Sequence, residues 1–289
     1  MQRACRNIVS GRHASRGPRK RCFKMSTSFS VIIPSYNRVQ TIERTIRSVL
    51  LQNYSNAELI VIDGGSTDGT LEVLQKYASQ IAYQVIEPDD GLYHAINKGI
   101  NAATGAFVGV IATDDWYEPE AFNKIAAYLK EHPTAQWIIG RLNIVTAEGH
   151  WIKKSVVDLS SMPNVIQANH PTWFIRRDVY QAYGGYSMRY PIAADLDMLY
   201  RLWAAGVCAH KMSDTIANHS VGGMSTDPRN RNIVYLQIAT IKYQHRVIGF
   251  ELYVTEVIRL GWAEVVRCAR AGLSSIKQKV LKKTLALLG

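Results

Sequence analysis

Apolar positions along the chain alternate between a strand period and a helix period. Phe29-Ser-Val-Ile-Ile-Pro34 is a short β-rich run closed by proline, after which Ile42, Ile46, Val49 and Leu50 recur at helical spacing. Glu58-Leu-Ile-Val-Ile-Asp63 is a second strand, and its unbroken apolar run predicts burial on both faces. Leu71, Leu74 and Ala78 mark the next helix, Tyr83–Ile86 a third strand, and Leu92, Ile96 and Ile100 a further helix. Residues 106–111 form a fourth strand, and Pro119 suits the first turn of a helix carrying Phe122, Ile125 and Leu129. Four strand–helix units in succession predict an α/β fold with a doubly wound, mostly parallel sheet and helices on both faces.

The second half is more mixed. Strands are expected near 136–146 and 150–157, a helix over Arg177–Tyr183 stopped by Gly184-Gly185, and another over Asp195–Ala205 stopped by Gly206. Beyond Gly223 the pattern is almost wholly helical.

In doubly wound sheets, ligands gather at the carboxyl ends of the strands. The polar clusters fall there: Ser35-Tyr36-Asn37-Arg38, Asp63 to Asp68, Asp89-Asp90 and Asp114-Asp115. Two adjacent carboxylates after an apolar strand suit Mg²⁺ or Mn²⁺, which keep positions open for phosphate oxygens. The alternative is an acidic turn capping a helix near Glu118 and Pro119. Asp63 could accept from a nucleobase N–H, with Gly64 and Gly65 allowing close approach. Tyr36 offers a stacking face and Arg38 a cation, whereas Asp68 and Thr70 read as local turn and cap residues. Asp195 opens a helical stripe, either as a cap or as a general base. His170 and His219 each stand beside an asparagine (Asn169, Asn218). The glycine-rich 221–226 segment that follows His219 suggests a loop that brings it to a ligand.

Charge divides the 289-residue chain. The net +11 would suit a polyanion partner, but residues 1–24 carry eight basic residues and no acid. Residues 231–289 carry ten basic and three acidic residues, which leaves 25–230 at a net −4. Residues 1–24 lack both periodicity and the apolar core of a signal peptide; they read as a disordered leader or an upstream mis-start before Met25. In the last stretch Ile276, Val280, Leu281, Leu285, Leu287 and Leu288 share a face, with Lys279, Lys282 and Lys283 mostly opposite. That basic amphipathic pattern fits an anionic membrane surface, or a helix packed on the body or in a homodimer. Cys5, Cys22, Cys208 and Cys268 form no metal or disulfide spacing, a reduced intracellular pattern.

The segments Phe29–Arg38, Asp63-Gly-Gly-Ser-Thr-Asp-Gly-Thr70, Thr113-Asp-Asp115 and Asp195-Leu-Asp-Met-Leu-Tyr-Arg201 follow in order, the first three at strand ends. Together they resemble a family 2 glycosyltransferase with a GT-A fold. Glu87-Pro-Asp-Asp-Gly-Leu-Tyr-His-Ala-Ile-Asn-Lys-Gly99 is similar to the bacterial branch associated with capsule, exopolysaccharide and lipopolysaccharide. The resemblance implies a nucleotide-diphosphate sugar donor, usually a uridine one, and inversion at the anomeric carbon. It implies that Pro34, Ser35, Tyr36 and Asn37 line the base pocket, that Asp63 contacts the base and that Asp114 approaches the ribose. Arg38, Gly64, Asp90 and Lys98 complete the donor-binding set. Asp115, with His219 near the diphosphate, would hold Mn²⁺ or Mg²⁺, and Asp195 would be the catalytic base. Asp197 is a rival base that reads better as structural.

The chain departs from the family pattern at Ala194, where Glu often precedes the Asp, and at Ala112 and Thr113, where Asn or Asp often precedes the metal pair. The expected organisation is a leader (1–24), a catalytic domain (25–230) with a nucleotide half (25–118) and an acceptor half (119–230), and a helical basic tail (231–289). Partners would be the nucleotide sugar and a glycan or lipid-linked acceptor, and the setting the cytoplasm, peripherally on the inner face of the cell membrane. A sugar nucleotidyltransferase needs a glycine-rich phosphate loop, which Pro34–Arg38 lacks. A nucleic-acid binder is opposed by the acidic body.

Overall fold

The computed structural model describes residues 27–155, 169–225 and 227–270. The expected leader at 1–24 and the amphipathic face at 276–288 lie outside them. The first half forms β1 (Phe29–Ser35), α1 (Ile42–Leu50), β2 (Ala57–Asp63), α2 (Thr70–Lys76), β3 (Tyr83–Ile86), α3 (Leu92–Ala102) and β4 (Phe107–Val110). These strands run parallel in the order β3-β2-β1-β4. The β1–β2 register pairs Phe29 with Ala57 and Ser35 with Asp63, so both strands deliver their polar ends to one edge.

Side chains alternate across this sheet. Val31, Ile33, Leu59 and Val61 join a core with α1, α2 and the helix α4 (Ala121–Glu131) on one face. Ile32, Ile60 and Ile62 join a second core on the other face, with α3, α5 (Arg177–Tyr183) and α6 (Ala194–Ala204). Each of these isoleucines is fully buried, contributing about 2 kcal/mol. Helix α3 approaches closely because Gly99 lies over Ile32; a Cβ there would stand 2.5 Å from its Cγ2.

Beyond β4 the sheet is mixed rather than mostly parallel. It continues with β8 (Trp173–Arg176), β6 (Trp137–Val145), β9 (Ala209–Ser220) and β5 (Trp116–Tyr117), while β7 (Trp151–Ser155) pairs with β6. Among the described residues, half of the strand pairings are antiparallel. No α-helix separates β6, β7 and β8 among the described residues, and antiparallel neighbours need none. α7 (Arg231–Gln244) and α8 (Phe250–Arg270) follow, with Tyr243 and Tyr253 stacked at 4.6 Å. No helix among the described residues is long and apolar enough to cross a membrane.

Candidate active site

The β1–α1 and β2–α2 connections are stitched into one ridge. Asp63 is fully buried; its Oδ1 accepts from the N–H groups of Gly65 (3.0 Å) and Ser66 (2.7 Å), and its Oδ2 from Ser66 Oγ (2.8 Å). Asn37, in the left-handed region at φ 52°, donates its N–H to Ser66 Oγ (2.7 Å) and accepts from Thr67 N–H (2.8 Å). Arg38 N–H donates to Thr70 Oγ1 (2.8 Å), and Asp68 takes the N–H groups of Val39 and Thr70. Asp68 is therefore a turn residue, as expected, while Thr70 opens α2 behind Gly69 and its hydroxyl ties the two connections together instead of capping the helix; Asp63 also spends its carboxylate on the turn.

What the ridge leaves open lies beside Asp63. Tyr36 is 61% exposed, and a Cβ at Gly64 would sit 3.2 Å from its ring. Ser35 Oγ and Asp89 Oδ2 are buried and find no hydrogen-bond partner among the described residues. Asp89 Oδ2 faces Gly64, 3.5 Å from where a Cβ would stand. Pro34 is buried in β1, and the Arg38 side chain is exposed.

Two expected donor residues stand differently. The Asp90 side chain is 88% exposed, its N–H bonded to His94 Nδ1, so Asp89 is the carboxylate that faces the ridge. Lys98 is held by Asp89 (2.6 Å) and Glu87 (2.7 Å), and these hydrogen bonds raise its pKa. Its charge is spent on these carboxylates.

Asp114 and Asp115 close a turn after β4 and do not cap α4, because the short strand β5 intervenes. That strand pairs antiparallel with β9, Trp116 opposite Asn218 and Tyr117 opposite Ala217. Continuing the register brings His219 to Asp115: Nδ1 lies 3.1 Å from each carboxylate oxygen, and Ser220 N–H donates to Oδ1 at 2.9 Å. Asp115 is 1% exposed. Burial raises its pKa, against the hydrogen bond and charge of His219. Burial alone would lower His219, but the hydrogen bond and charge of Asp115, with the charge of Asp114, hold it above the ordinary histidine range. Asp114 is half-buried. Arg44 of α1 donates to its carbonyl at 3.0 Å and lies 3.8 Å over the Trp116 ring. The Thr45 hydroxyl is 2.9 Å from the Thr113 carbonyl and 2.7 Å from that of Asp115.

Asp195 lies in the first turn of α6. It is half-buried; Oδ1 accepts from Leu196 N–H at 2.8 Å and meets Tyr93 OH at 3.4 Å. Tyr93 stacks on Tyr186 at 5.4 Å, and Tyr186 OH lies 2.8 Å from His170 Nε2. Burial lowers the His170 pKa, with the charge of Asp195 opposing and that of His219 adding to the fall, so the imidazole senses both sides of the site. Asp197 is committed elsewhere, to Arg201 Nε (2.8 Å) and His245 Nε2 (3.1 Å), and is structural as read from the sequence.

Tyr93 and Arg44 escaped the sequence reading as site residues, and Ser66 and Asp89 stood in it only as members of their polar clusters. Tyr93 sits among helical-period apolars, and nothing in the sequence separates it from the core.

A strand-end edge lined with carboxylates is where a doubly wound sheet binds its ligand, and the chain's relatives say which class of protein this is. The family model described as glycosyl transferase family 2 matches residues 30–189, and the chain belongs to that family. A PGL/p-HBAD biosynthesis glycosyltransferase of Mycobacterium bovis is 29% identical over 203 residues, covering 68% of this chain and 78% of the relative. The chondroitin synthase of Pasteurella multocida is 28% identical over 210 residues, 70% of this chain but 21% of that protein. S. aureus TarS 1–349 in complex with UDP-GlcNAc superposes with a TM-score of 0.59 at 21% identity, over 74% of this chain and 66% of that one. This likeness bears out the GT-A-like α/β fold.

Proposed function

We propose that the chain transfers a sugar from a uridine-diphosphate donor to a hydroxyl of a glycan or lipid-linked sugar, with inversion, in cell-surface polysaccharide synthesis. The observation that carries this reading is the meeting of Asp115 and His219 at the strand-end edge. Along that edge Ser35 Oγ and Asp89 Oδ2 are buried without partners, as a base pocket requires. The TarS fold neighbours bound to UDP and to UDP-GlcNAc support a uridine donor.

In this reading Tyr36 stacks on the base, Pro34, Ser35, Asn37, Asp63 and Gly64 shape its pocket, and Asp114 approaches the ribose. Asp115 would offer a carboxylate oxygen to Mn²⁺ or Mg²⁺, which prefer oxygen ligands, with His219 beside it; no cluster of three acidic, histidine or cysteine side chains forms among the described residues, so the diphosphate would supply the rest of the shell. Bound there, the cation would neutralise charge collecting on the departing diphosphate. Asp195 takes the acceptor hydroxyl proton as that oxygen bonds to the anomeric carbon and the bond from the carbon to the diphosphate oxygen breaks. Inversion requires the base on the face opposite the leaving group, which agrees with the two carboxylates coming from different halves of the fold.

The test is a thermal-shift panel of nucleotide sugars with Mn²⁺, followed by transfer assays. A UDP-sugar should stabilise the protein, and Asp195→Asn should keep that response while losing transfer. Retained transfer overturns the base assignment; stabilisation by no UDP-sugar overturns the donor.

The proposed workplace is the cytoplasmic face of the membrane. On α8, Phe250, Leu252 and Ile258 are exposed, and the basic tail follows beyond the described residues. Flotation with anionic vesicles should be lost on deletion of 274–289. Unchanged flotation overturns the anchor, and a dimer that ignores vesicles assigns the apolar face to a second copy.

A further inference from the structure

The base-bearing turn of α6 is gripped by α7, and both helices lie beyond the stretch that the family model matches. Residues 190–193 lead into Asp195, and α7 passes against them. Gln237 of α7 is 6% exposed, and its Oε1 accepts from the N–H groups of both Ile192 (3.1 Å) and Ala193 (3.0 Å). Two further contacts fix the same junction. Tyr190 OH donates to Gln244 Oε1, and His245, capping α7, bonds Asp197 and stacks on Tyr200 at 5.4 Å.

The N–H groups that Gln237 takes belong to the residues just before the helix. A helix start leaves such donors without partners unless a side chain supplies one. The carbonyls of the same two residues complete the junction. Ile192 O accepts from Tyr93 OH at 3.0 Å, the hydroxyl that also meets Asp195, and Ala193 O accepts from Leu196 N–H at 3.1 Å. The Gln237 amide therefore sets the height at which α6 begins, and with it the place of the Asp195 carboxylate.

We propose that Gln237 is a positioning residue for Asp195, so that α7 belongs to the catalytic apparatus. The inference rests on Asp195 being the base. Its test compares Gln237→Leu, which keeps the size and removes the acceptor, with Gln237→Glu, which retains an acceptor oxygen. Both are made in the full chain beside Asp195→Asn. A displaced base lowers turnover without touching the donor pocket, so Gln237→Leu should lose on the order of 10–100-fold in kcat. Its KM for the UDP-sugar and its thermal shift with UDP should stay at wild-type values, and Gln237→Glu should recover most of the turnover. Wild-type kcat in Gln237→Leu, or equal loss of kcat and UDP binding, overturns the inference, as does a Glu variant no better than Leu. If Asp195→Asn loses transfer while Gln237→Leu does not, the inference alone falls. If Asp195→Asn transfers normally, the base assignment falls and takes the inference with it.

Discussion

His219 holds its Nδ1 3.1 Å from both carboxylate oxygens of Asp115, across 104 residues of sequence. The contact is a consequence of register: β5 is two residues long, and its pairing with β9 leaves Asp115, just outside β5, facing His219 of β9. Asp115 is the more buried partner, and removing its ionic neighbour would leave a charge that the interior does not tolerate. Asp115→Ala should therefore abolish Mn²⁺-dependent turnover of the donor, and His219→Gln should raise the Mn²⁺ concentration needed for half-maximal activity. Metal titrations of transfer check both, and chelation with EDTA should silence the wild type.

The same pair predicts a pH dependence. His219 is held above its ordinary value, so the folded protein keeps a proton that the unfolded chain releases near pH 6.5. Its stabilisation is complete below about pH 6.5 and is lost as pH rises through the elevated folded value. In EDTA, the melting temperature of the wild type should fall relative to that of His219→Gln as pH is raised from about 6 to 9. Parallel melting curves across that range would contradict the ion pair.

Arg44 ties α1 to the turn of Asp114 and Asp115 through the Asp114 carbonyl and the Trp116 ring. Arg44→Ala removes a charge-assisted hydrogen bond and a cation–π contact, a loss of about 2 kcal/mol. Arg44→Lys should recover only part of it, because an ammonium cannot both stack flat and fork. Urea unfolding of the three proteins measures the difference.

Tyr36 is an exposed ring beside Gly64. If the base stacks there, Tyr36→Ala should weaken UDP binding by about tenfold, at the lower end of base–aromatic stacking, while Tyr36→Phe stays close to wild type. Calorimetry with UDP distinguishes the two.

Much of this fold was legible in the sequence because the signals were local. Val31–Ile33 and Leu59–Ile62 are buried on alternating faces, as their unbroken apolar runs required. Helix α5 occupies the predicted Arg177–Tyr183, ended by Gly184 at φ 80°. Strand β9 was not legible: it mixes Lys211, Ser213 and Asp214 with buried Met212, Ile216 and Ala217, and its register against β6 shifts, so no period of two survives. Asp89 and Asp90 differ only in which way one turn faces them, which adjacent identical letters cannot express. Tyr93 meets Asp195 across 102 residues, a relation created by packing alone.

The two-residue strand β5 also orders the life of the nascent chain. The parallel units from β1 to β4 can assemble from neighbours close in sequence, whereas Asp115 must wait for residues 217–220 to be synthesised. Ile192 and Ala193, just before Asp195, in turn wait for Gln237, and Asp197 waits for His245. A ribosome-bound chain stalled before residue 217 would thus carry the ridge of β1 and β2 without the Asp115–His219 pair, and the junction before α6 closes only once α7 has been made.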